Sequence, residues 1–135
     1  MALQMSTAVR NARLDAIETT ISTSAVLKIR SGTVPADVAA ADAGTVLATL
    51  SLPADWMTAA SSGSKAKSGT WEDTSADNTG TALHWRLYAS DGTTPHLQGT
   101  VTVTGGGGDM TVDNTSFTSG QSFQITSFTL TDGNS

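Results

Sequence analysis

Residues 109–131 constrain this chain most, because two short apolar/polar alternations there read as half-buried strands joined by turn chemistry. Met110 and Val112 fall on one face of the first, with Thr111 and Asp113 on the other. Beyond Asn114-Thr115-Ser116 and Ser119-Gly120, a second strand is predicted over residues 121–131. Phe123 and Ile125 share its inward face, then the phase slips to Phe128 and Leu130. Successive side chains point to opposite faces of a strand, so a half-buried sheet needs a period of two. A one-residue bulge near Thr126-Ser127 restores the inward face. Ser, Thr and Gln fill the outward positions, chemistry that suits a sheet packed against other protein surfaces.

Similar alternations recur upstream. Val26, Leu27 and Ile29 make a short strand ending at Ser31-Gly32, and residues 45–52 alternate through Val46, Ala48, Leu50 and Leu52 until Pro53. Trp71 marks another short strand. Residues 81–89 form the expected central strand, with Leu83, Trp85 and Leu87 on one face and His84, Arg86 and Tyr88 on the other. Leu97, Gly99, Val101 and Val103 share a face before the four glycines at 105–108. Between these lie an Ala-rich stretch at 33–44, read as one or two helical turns or an ordered loop, and a Ser/Gly loop at 59–69. Seven or eight short strands spaced by roughly ten residues predict an antiparallel β-sandwich or open barrel rather than βαβ units.

The strong helical signal lies at residues 5–21. Ser6 or Thr7 can cap it, and Leu14, Ile17 and Ile21 recur at spacings of three and four as one apolar stripe. The stems of Arg10 and Arg13 extend that stripe, while Asn11, Asp15 and Glu18 lie toward the other side. The stripe either packs on the chain's own sheet or docks on a partner. The second choice makes Leu14, Ile17, Ile21, Arg10 and Arg13 the candidate partner-contact residues. The fold expected is therefore mainly β, with an N-terminal amphipathic helix and its exit at residues 1–24 and a β-sandwich at 25–135, one domain overall.

At 135 residues the chain can bury a real core, but nearly three residues in ten are Ser or Thr, so the core is lean. Self-association is one way to supplement such a core. Seven basic against twelve acidic residues give a net charge of −5, which argues against nucleic-acid binding. Lys65 and Lys67, the basic pair, read as a solvated turn. The absence of Cys removes disulfides and thiolate chemistry. No apolar run is long enough to span a membrane, and Arg10, Arg13, Asp15 and Glu18 interrupt any signal-peptide core, so synthesis in the cytoplasm is expected.

No catalytic set emerges. His84 and His96 are the two histidines, the first read as a polar-face residue or subunit contact and the second as solvated. The chain has no Gly-x-Ser-x-Gly elbow. The run 105–108 precedes a strand and no Gly-Lys-Ser/Thr, so it reads as a hairpin linker rather than a phosphate loop. Asp73, Asp77, Asp91, Asp109 and Asp113 read as turn residues rather than calcium ligands. Neither a metal nor a cofactor is expected. Trp85 alternates with core leucines, leaving Trp56 and Trp71 as loop-adjacent aromatics for possible glycan contact.

With helix and strands placed, the chain resembles a family of small tailed-bacteriophage virion proteins over nearly its full length. The resemblance rests on the opening at 5–17 (MSTAVRNARLDAI), on Leu27-Lys28-Ile29-Arg30-Ser31-Gly32-Thr33-Val34-Pro35, and on Gly44-Thr45-Val46-Leu47-Ala48-Thr49-Leu50. Gly80-Thr81-Ala82 ahead of Trp85-Arg86-Leu87-Tyr88 and the closing Phe128-Thr129-Leu130-Thr131 also match. These are packing and turn motifs with no catalytic residue to carry over. The resemblance implies a virion structural protein, with virion localisation, homo-oligomeric contacts, and the major capsid protein or tail and neck proteins as partners. Head decoration or cementing is the first role implied; a tail, neck or fibre-attachment part is the second. A carbohydrate-binding module on the virion surface is a third reading.

Overall fold

The computed structural model describes residues 3–132, so the outermost residues of both predicted segments, 1–2 and 133–135, lie outside the described residues. The chain is mainly β with a single N-terminal helix, α1 (Thr7–Ile21). Ser6 caps it: its side-chain oxygen accepts from the Val9 N–H at 3.2 Å, satisfying a first-turn donor that has no partner inside the helix. The exit is sharp because Ser22 and Ser24 both take positive φ, 74° and 55°. The Ser22 carbonyl then accepts from the Trp56 indole at 2.9 Å, which ties the helix end to the core.

Eleven short strands follow among the described residues: β1 (Val26–Arg30), β2 (Val46–Ser51), β3 (Ser64–Ala66), β4 (Trp71–Asp73), β5 (Gly80–Thr81), β6 (His84–Tyr88), β7 (Pro95–Val103), β8 (Met110–Val112), β9 (Ser116–Phe117), β10 (Phe123–Ile125) and β11 (Thr129–Thr131). Five form a mixed sheet in the order β2-β1-β6-β7-β8, and the others pair as β10-β4, β11-β3 and β5-β9. Register sets the faces. Ile29 stands opposite Ala48 and Trp85, and Leu27 opposite Leu50 and Leu87, so these side chains share the core face. That core is continuous with Ile21 of α1 and with Trp56, Trp71, Phe117, Phe123 and Phe128 from the short ladders.

Three expectations need correction. The second C-terminal strand is two strands, because the phase slip at 126–127 marks a change of partner: β10 pairs with β4 and β11 with β3. The link from β7 to β8 is no hairpin, since the two strands are parallel, with Val101 opposite Met110 and Val103 opposite Val112. A parallel return normally needs a long crossover. Here the four glycines make a short one possible: Gly105 and Gly107 take φ of 86° and 82°, and a Cβ on Gly106 or Gly108 would lie 2.8 Å from Thr102. Leu83 is 49% exposed rather than core, because the chain breaks before β6 to pair β5 with β9 and Ala82 enters the core instead. Of the two readings of residues 33–44 the ordered loop is the one observed, with one backbone turn from the Ala40 N–H to the Asp37 carbonyl.

The outer edge of β2 is closed by side chains in place of a strand. Asp73 accepts from the Thr49 N–H at 2.9 Å, Asn78 donates to the Val46 carbonyl at 2.8 Å, and the Asp77 N–H reaches the Leu47 carbonyl at 2.8 Å. A capped edge cannot template pairing with another chain.

Candidate functional site

The predicted contact stripe is largely used inside the chain. Leu14 and Ile21 are each only 3% exposed, so neither is a free docking residue; β3 and the core take the place assigned to a partner. Ile17 is half-buried at the core margin. Arg10 donates to the Asp132 carbonyl at 3.1 Å and Arg13 pairs with the Asp132 carboxylate at 3.2 Å, fastening the helix to the strand end after β11. Between them runs an open groove of about 450 Å³ lined by Arg13, Ala16 and Ile17 against Thr131 and Asp132. It is flanked by a shallower hollow of about 260 Å³ that reaches Thr20.

The opposite flank of α1 is gripped by the hairpin that carries β3. Lys65 is 2% exposed rather than solvated. Its ammonium donates to Asp15 at 2.7 Å and to the Thr58 carbonyl at 2.8 Å, and pairs with Glu18 at 2.8 Å. Burial pulls the lysine pKa down, but the hydrogen bonds and charges of the two carboxylates outweigh it and hold the ammonium above its ordinary value. Asp15 is lowered in return, first by the bond from Lys65 and then by the Ala60 N–H. Asn11 accepts from the Gly63 N–H at 2.9 Å, completing the clamp.

The second face of the main sheet carries a polar network under the loop at 31–45. β6 is buried along its whole length, and His84, Arg86 and Tyr88 point to this face rather than to solvent. Asp42, on the loop, is the hub. One of its oxygens accepts from Arg86 at 2.8 Å and from the Tyr88 hydroxyl at 2.7 Å, and the other from Arg30 at 3.1 Å. Arg86 also reaches the Asp37 carbonyl and Gln98, and Gln98 donates to the Pro35 carbonyl at 2.8 Å. Desolvation opposes the charge on Asp42, but the Tyr88 and Arg86 bonds and two guanidiniums prevail and lower its pKa. Burial raises Tyr88, with Asp42 adding to the effect, so the phenol keeps its proton.

His84 is lowered chiefly by burial, with Arg30 and Arg86 adding to it, so the ring is neutral at pH 7. Its Nδ1 lies 2.8 Å from the Gly32 carbonyl, which can only accept. The proton therefore sits on Nδ1, and Nε2 is left buried with no hydrogen-bond partner among the described residues. Asp42, Arg86, Gln98 and the His84 Nδ1 all serve to pin the loop. Sequence reasoning missed Asp42, although the signal existed: Lys28, Arg30, His84 and Arg86 crowd one face of two adjacent strands, and a carboxylate from elsewhere must neutralise them.

Trp56 and Trp71 are not glycan-contact residues, being 0% and 1% exposed. Their indole N–H groups donate to the Ser22 and Ser68 carbonyls, and their rings meet in the core with centroids 6.2 Å apart and planes tilted by 49°. Trp85, assigned to the core, is buried and packs edge-on against Phe128 at 5.5 Å. The turn carboxylates serve the chain itself: Asp91 accepts from Thr93 and Thr94, and Asp109 from Thr100. Among the described residues no three His, Asp or Glu side chains converge as a metal site, and no helix is long and apolar enough to cross a membrane. Comparison with protein-family models, with characterised proteins and with solved structures finds no match for this chain.

Proposed function

We propose that the protein is a structural subunit of a tailed-bacteriophage virion, a head decoration or cement component that seats on neighbouring shell subunits through the outer flank of α1. The groove beside Ile17 carries this reading. It is a concave, partly apolar surface beside the helix, and Ala16 and Thr20 line it without blocking it. Two features agree with it. Buried ionisable groups are spent on internal clamps rather than gathered at a cleft, and the β2 edge is capped, so neither competes with the helix flank. The sequence resemblance described above points to the same class. A tail, neck or fibre-attachment part would use the same groove in a ring. Abundance separates the two: a decoration protein is present in numbers comparable to the major shell subunit, a ring component in far fewer.

Ala16→Glu with Thr20→Glu places two carboxylates in the groove without touching the core. Incorporation into purified particles, read by quantitative mass spectrometry, should be lost while the thermal midpoint of the isolated protein changes by no more than a few degrees, as for other surface substitutions. Undiminished incorporation of this well-folded variant refutes the groove as the docking surface.

A further inference from the structure

We infer that a second cleft, beside Trp85, binds a neutral polyhydroxylated ring such as a hexose or the terminal unit of a glycan, independently of how the protein is assembled into a particle. The cleft lies between the core face of β7 and β11 and encloses about 360 Å³, at the lower end of the range for small-molecule sites. Leu97, Phe128 and Leu130 give it an apolar floor, and Thr129 and Thr131 of β11 border it.

Two groups set the chemistry. The Trp85 indole lines the cleft, and its Nε1–H is buried with no acceptor among the described residues. Buried indole N–H groups normally find a partner. The Asp109 carboxylate is the second. Its Oδ2 accepts from the Thr100 N–H at 3.0 Å and the Thr100 hydroxyl at 3.1 Å, which fixes its orientation, while no described group donates to Oδ1. Gly99 lies between them. A Cβ at that position would stand 2.8 Å from Trp85 Nε1 and 2.9 Å from Asp109 Oδ2, so any side chain there would press on both.

A ligand must therefore accept from an N–H and donate to a carboxylate within a small space. An anion is repelled by Asp109. A simple ammonium can donate but cannot accept from the indole. A hydroxyl does both, because its oxygen carries one donor and two lone pairs. The C–H face of a sugar ring suits the apolar floor. Gln98 is not available, since its amide is committed to Arg86 and Pro35 on the other face of the sheet.

The test uses the full-length protein labelled with nitrogen-15 and the indole N–H signals of its three tryptophans. Neutral hexoses and N-acetylhexosamines are titrated singly, with inorganic phosphate and methylammonium as charged probes. At least one neutral sugar should shift the Trp85 indole signal saturably. The Trp56 and Trp71 signals, already bonded to carbonyls, should stay in place, and the charged probes should have no effect. Trp85→Phe identifies the signal. Asp109→Asn should weaken binding by about tenfold, the loss expected for one hydrogen bond to a charged acceptor. If that variant melts early, Thr129→Val, at an exposed position outside the α1 groove, should weaken the same sugar severalfold. A Trp85 signal that no sugar moves overturns the proposal and assigns the N–H to bound water. A signal that moves only with protein concentration overturns it in favour of contact with a second copy.

Discussion

Removing the Asp42 carboxylate tests the roofed polar face most sharply. Asp42→Ala deletes the single acidic side chain bonded to Arg30, Arg86 and Tyr88, and leaves Arg86, 1% exposed, beside Arg30 with no counter-charge. Breaking a buried ion pair from one side costs about 3–5 kcal/mol. The Asp42 side chain is 40% exposed, so solvent screening sets the expectation at the lower end, about 3 kcal/mol. For a chain of this size that is a fall in thermal midpoint of about 10 °C. Asp113→Ala, at an exposed turn, should stay within about 0.5 kcal/mol. The folded pKa of Asp42 lies below its ordinary 3.8, so its contribution is present above that pH and is lost as the pH falls through the lower folded value. The gap between wild type and Asp42→Ala, measured by urea denaturation, should therefore close toward pH 2. A variant that melts within about 2 °C of wild type at pH 7, or a gap that does not change with acid, refutes the hub.

His84 is neutral in the fold and gains a proton once released, so stability is full above about pH 6.5 and falls as the pH drops through the lower folded value; His84→Gln should flatten that slope between pH 7 and 5 in denaturant titrations. Gly44→Ala forces a Cβ to within 1.8 Å of the Ser31 carbonyl at a φ of 69° and should prevent folding at 37 °C, whereas Gly105→Ala, with open space around it, should cost only about 1 kcal/mol by the same denaturation assay. Lys65→Met leaves Asp15 and Glu18 without their cation and should lower the midpoint by several degrees, with protease cutting appearing first in the hairpin at 58–66. All three tryptophans are buried, so acrylamide should quench native fluorescence far less than that of the urea-unfolded chain.

Local pattern revealed the elements of this fold better than their partners. Ser6 ahead of an apolar stripe at three- and four-residue spacing was enough to place α1, and the alternation of Met110 with Val112 and of Phe123 with Ile125 assigned their inward faces correctly. Period two says which face a residue takes but not what covers it. Alternation therefore puts His84, Arg86 and Tyr88 on the right face but leaves their cover unread, because the roof comes from a loop of small residues that reaches them through Asp42 and the Gly32 and Asp37 carbonyls. The same limit explains Trp56 and Trp71: being next to loops in sequence carried no information about the Phe128 ring that meets Trp71 at 5.7 Å. Parallel pairing of β7 with β8 was hidden because it depends on space above Thr102, which only the three-dimensional path of the glycine run reveals. Trp85 was recognised as core, but the cleft beside it forms only when β11 closes over β7, a contact between residues distant in the chain.

Photo-crosslinking from residue 16 tests the assembly account most directly. A benzophenone side chain placed at Ala16, in the groove of α1, should join this protein to a neighbouring subunit when purified particles are irradiated. The same group at Asp91, on an exposed turn remote in sequence from the helix, should give no such product. Crosslinks from residue 91 with none from residue 16, in particles that contain both variants at normal abundance, would contradict it.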